Sequence, residues 1–117
     1  MLLWQKELWL IDHGAALYFH HGGSDWQEQS LKPFVQVKDH VLLPRASELA
    51  KADEECRSLL NATIISHIVS LLPGEWLKDS DTDPEVNRDM YAQFLRARIS
   101  QSEVFIKQAQ HAREALI

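Results

Sequence analysis

Cysteine is almost absent from this chain. Cys56 is the only one in 117 residues, which excludes an intrachain disulfide and a cysteine-built zinc site. A reducing compartment fits that usage. Glycine and proline number only four each, too few for a collagen-like or low-complexity chain. Long apolar runs are missing too, with nothing near the ~18 residues of a membrane span. Met1 to Trp9 is interrupted by Gln5, Lys6 and Glu7, which is no signal-peptide core. The expected location is cytoplasmic.

Positive charge is in deficit: 12 basic against 17 acidic residues, for a net charge of −5. A nucleic-acid-binding domain usually presents a basic patch, and no Lys/Arg cluster stands here. Arg96 and Arg98 are close in sequence but about 160° apart on a helix. Anionic membranes are disfavoured by the same balance. The chain also lacks a Gly-x-Ser-x-Gly elbow and a glycine-rich phosphate loop of the Walker or Rossmann pattern.

What is present is ordinary globular composition, 45% hydrophobic and 25% charged, at single-domain length. A chain of that size buries roughly two-thirds of its unfolded surface. Four tryptophans supply large areas for burial, and their N–H groups need partners.

Residues 1–19 read as a β-hairpin and an Asp-His-Gly turn. Leu2-Leu3-Trp4 and Leu8-Trp9-Leu10-Ile11-Asp12 flank a three-residue polar loop, Gln5-Lys6-Glu7, and three residues is a hairpin-loop length. The second run is nearly continuous in apolar residues, as a strand buried on both faces is. Residues 20–44 read as loop-rich: His20 to Lys32 is polar and exposed with Trp26 as its anchor, and a helical turn over Asp39–Leu43 stops at Pro44.

Residues 45–117 read as helical. Ser47 caps a helix through about Leu60, with Leu49, Ala52, Cys56 and Leu59/Leu60 on one face. Asn61 caps the next, whose stripe is Ile64, Ile65, Ile68, Val69 and Leu72. In the turn after Pro73, Trp76 plugs into the core, and an acidic linker, Lys78 to Asp83, follows. Asp83-Pro84 opens a helix whose buried face is Val86, Met90, Tyr91, Phe94 and Leu95. Ser100 with Glu103 forms a capping-box pattern for the last helix, with Phe105, Ala109, Ala112 and Leu116 inward. The fold class is mainly α with a short N-terminal β-hairpin, a single α+β domain.

The most pointed candidate for chemistry is Asp12, in Asp12-His13-Gly14. A carboxylate emerging from a strand into a turn is well placed to hold a hard cation such as Mg²⁺, and equally to bond nearby turn amides. His13, His20, His21 and His40 invite a zinc reading but lack zinc-ligand spacing; solvated loop histidines are the plainer state, and His40 suits a hydrogen-bonded core position. Cys56, on an apolar stripe, reads as an inert buried thiol. Asp79, Asp81 and Asp83 alternate as in a calcium loop, without its glycine or closing glutamate, and read as solvated linker.

The string Leu8-Trp9-Leu10-Ile11-Asp12-His13-Gly14-Ala15-Ala16-Leu17-Tyr18-Phe19-His20-His21 resembles the HipA-like kinase domain proteins of bacteria. So do Lys38 to Pro44, Pro73 to Leu77, and the block Arg88, Tyr91, Phe94-Leu95, Arg98 and Phe105. These blocks are collinear over nearly the whole chain. The resemblance implies the C-terminal lobe of a protein-kinase-like fold, with Asp12 as ligand of the Mg²⁺ that bridges ATP phosphates, and γ-phosphoryl transfer to a protein Ser or Thr. In that family the general-base Asp and metal-binding Asn come just before the hairpin, and the phosphate loop and nucleotide-pairing lysine lie in the N-terminal lobe. None has a counterpart among these residues. Mg²⁺ and ATP are therefore expected only if the missing lobe completes the site, and the chain alone is expected to be inactive. A protein partner or a second copy is expected on the hairpin face, around Trp4, Trp9 and Tyr18. The alternative is a non-catalytic helical interaction module or homodimer; a small metal-dependent hydrolase using Asp12 and the histidines is the weakest reading.

Overall fold

The computed structural model describes residues 2–11, 17, 25–79 and 81–116. The chain is mainly helical, with one antiparallel hairpin at its start. Strand β1 (Leu2–Trp4) pairs with β2 (Glu7–Trp9) in the register Leu2↔Trp9, Leu3↔Leu8, Trp4↔Glu7. The loop is therefore two residues, not three, because Glu7 joins the ladder. Gln5 and Lys6 both take left-handed backbone, φ 51° and 68°, as a two-residue turn that follows the strand twist requires. The expectation that the second strand is buried on both faces fails. Leu8 is 53% and Trp9 51% exposed, because β2's only strand neighbour among the described residues is β1 and no helix packs extensively on the pair.

The segment 20–44 holds more structure than its polarity suggests. Helix α1 (Trp26–Ser30) starts where the Asp25 carboxylate accepts the Gln27 N–H at 2.9 Å. Two 3₁₀ segments follow, Val35–Asp39 and Leu43–Arg45. Pro44 sits in the first turn of the second rather than stopping a helix, since proline lacks only an N–H that is unpaired there anyway. Leu43 is buried.

Four longer helices make up the body: α2 (Leu49–Leu59), α3 (Ala62–Ser70), α4 (Pro84–Ser100) and α5 (Glu103–Glu114). Two of their starts are as the caps predict. The Asn61 side chain accepts from the N–H groups of Thr63 and Ile64 at 3.0 and 3.1 Å, and Asp83 accepts from Glu85 at 2.8 Å. Two are not. Helix α2 begins after Glu48, not Ser47, with no side-chain cap. Helix α5 begins after Ser102, also without one, while Ser100 remains the last residue of α4 and its hydroxyl donates to the Ala97 carbonyl at 3.0 Å.

Helix α4 is the hub. It packs on α3, on α1 and on the 3₁₀ turn Gly74–Leu77, while α5 takes α2 and the two earlier 3₁₀ segments. The best-shielded cluster is Ile65 and Val69 of α3 against Ala92 of α4, flanked by Leu72, Tyr91, Leu95 and Ile99. Burying each such aliphatic side chain is worth ~1.5–3 kcal/mol. Phe94, Leu77 and Ala109 complete the interior.

Eight expected inward positions point outward. Trp76 is 74% exposed, and its neighbour Leu77, 5% exposed, fills the core instead, since successive residues of a 3₁₀ turn lie about 120° apart. Val86 and Leu116 are exposed. The stripe of α2 is open too, with Leu59 70% exposed and Ala52 and Cys56 uncovered, because among the described residues only α5 packs extensively on that helix. Cys56 is thus an exposed thiol, not a buried one. On α3 the stripe is half-covered: Ile65 and Val69 are inside, Ile64 and Ile68 outside.

Candidate functional site

Two features stand out: the hairpin surface and an apolar cleft beside α4 and α5. The ladder register places Trp4 and Trp9 on one face of the hairpin, as a diagonal pair across the strands, and Leu8 on the other. Trp4 is 59% exposed, and the extension Leu10-Ile11 is exposed as well. An isolated two-stranded hairpin is marginal in water. This one carries large apolar side chains on both faces, and among the described residues neither strand has a second strand neighbour; a sheet edge of that kind is a template for further pairing.

The cleft has a volume of about 810 Å³ and is lined chiefly by Leu17, Phe34, Val37, Phe94, Phe105 and Ile106. Arg98 forms part of its wall, with its guanidinium 4.5 Å from the centroid of the Phe105 ring. The same group donates to the carbonyl of Ser30 at 3.1 Å and to that of Lys32, so it ties the end of α1 to α4. Burial lowers the Arg98 pKa, yet a guanidinium stays protonated in proteins. Its Nη1 is committed to these two main-chain carbonyls. The cleft is an apolar packing feature with a cationic anchor in its wall.

Arg88 does the same at the other end of α4. Its Nη1 donates to the carbonyls of Val69 and Leu72, both at 2.8 Å, closing the C-terminus of α3, where the last carbonyls have no partner within the helix. Arg88, Tyr91, Leu95 and Arg98 recur at spacings of three, four and three, one helix face. Arginine at both ends of an apolar stripe is the sequence signal for these two clamps. Arg96 leaves the helix in another direction and donates to the Ser66 hydroxyl, in keeping with its expected separation from Arg98.

Asp12, His13, His20, His21 and Tyr18 lie outside the described residues. Of the candidate ligands inside them, His40 is half-buried and its Nδ1 accepts the Leu42 N–H at 3.2 Å, a local turn bond. Among the described residues no group of three or more His, Cys, Asp or Glu side chains converges as a metal site. Also among the described residues, no helix is long and apolar enough to cross a membrane. No family model, curated protein or solved structure matches this chain.

Proposed function

We propose that this chain is a non-catalytic, mainly helical docking module, related to the C-terminal lobe of HipA-like kinases. Its N-terminal hairpin inserts into a complementing polypeptide, which in the kinase reading is the ATP-binding part. The observation that carries the proposal is the hairpin itself: Trp4 and Trp9 on one face and Leu8 on the other, all more than half exposed. An apolar patch of this kind marks an interaction site. Because both faces are apolar, the occupant is a slot that covers both and pairs an edge. A second copy laid face to face would leave one side wet.

The test is Trp4→Ser combined with Trp9→Ser. The double variant is expected to keep the helical circular dichroism and to lose no more than ~0.5 kcal/mol of stability, as surface substitutions do. Its binding of a hydrophobic dye should fall severalfold. A loss above ~2 kcal/mol would mean that the hairpin is packed on the helical body, and the docking reading would go. Sedimentation of the parent chain separates the occupants: a dimer abolished in the double variant would make the partner a second copy.

The kinase relation has its own check. Calorimetry with ATP and Mg²⁺ is expected to give no saturable binding to the chain alone at millimolar nucleotide. Binding that disappears in Asp12→Ala would mean that half of a phosphoryl-transfer site survives, and the non-catalytic reading would fail.

A further inference from the structure

We draw no further inference here: the strongest candidate, the outward apolar stripe of α3 formed by Ile64, Ile68 and Leu71, with Trp76 exposed in the 3₁₀ turn beyond it, carries none because nothing in the structure shows what covers it.

Discussion

Arg88 has two roles that charge counting does not reveal. Its side chain is largely buried, pairs with Glu85 at 3.2 Å and closes the last turn of α3 through two main-chain carbonyls. Arg88→Met keeps the aliphatic stem but removes the charged donor from both carbonyls, leaving that of Val69 with the Leu72 N–H alone, so a loss of about 2–3 kcal/mol is expected in urea unfolding, the range for hydrogen bonds to a charged group. Tyr91, on the same face, has its pKa raised by burial. The folded state therefore prefers the neutral phenol. The stability it contributes is complete below the unfolded value near pH 10 and is lost as pH rises through the higher folded value. Tyr91→Phe should flatten that alkaline decline in a pH series of unfolding curves; an unchanged slope above pH 10 would assign the decline to other groups. Glu103 moves in the opposite direction, lowered mainly by its hydrogen bond to Lys107, but it is fully exposed and controls little.

At the scale of elements, capping decides where helices begin only when the cap has no competitor. Asn61 and Asp83 each precede a helix with their side chains bonded to its first amides. Ser100 instead continues α4, because its hydroxyl finds the Ala97 carbonyl one turn back, a bond open to any serine within a helix. The hairpin turn is the strained element. Gln5 and Lys6 both occupy left-handed backbone, which costs an L residue ~1–2 kcal/mol. Lys6→Gly relieves one of the two, so the hairpin amides should exchange about threefold to tenfold more slowly. Faster exchange would show that the lysine side chain contributes more than its backbone costs.

Across the whole molecule, apolar surface is unevenly distributed. The radius of gyration is 16.0 Å, against about 13 Å for a compact chain of this length. Trp4, Trp9, Leu59, Leu71 and Trp76 all remain more than half exposed, while the tightest cluster comprises only Ile65, Val69 and Ala92. The apolar composition that reads as core in sequence is in fact divided between a modest core and several open surfaces. This division is why the function proposed is docking at the hairpin, and why the Trp4→Ser, Trp9→Ser pair should leave the helical body standing.

Local chemistry was legible in the residues alone. The hairpin, the Asn61 and Asp83 starts and the helical character beyond Ser47 follow from apolar runs broken by a polar loop, helical apolar spacing, side-chain acceptors and the fixed φ of proline, all of which act within a few residues. Burial was not legible. Leu59, Cys56, Trp76 and the strand Glu7–Trp9 each carry the pattern of an inward face, and each is left open because, among the described residues, no other element arrives to cover it. Leu77 rather than Trp76 enters the core through the phase of a single 3₁₀ turn, and Arg88 and Arg98 acquire their partners from segments 16 to 68 residues distant. Periodicity states which side chains share a face; only the packing of remote elements decides whether that face meets protein or water.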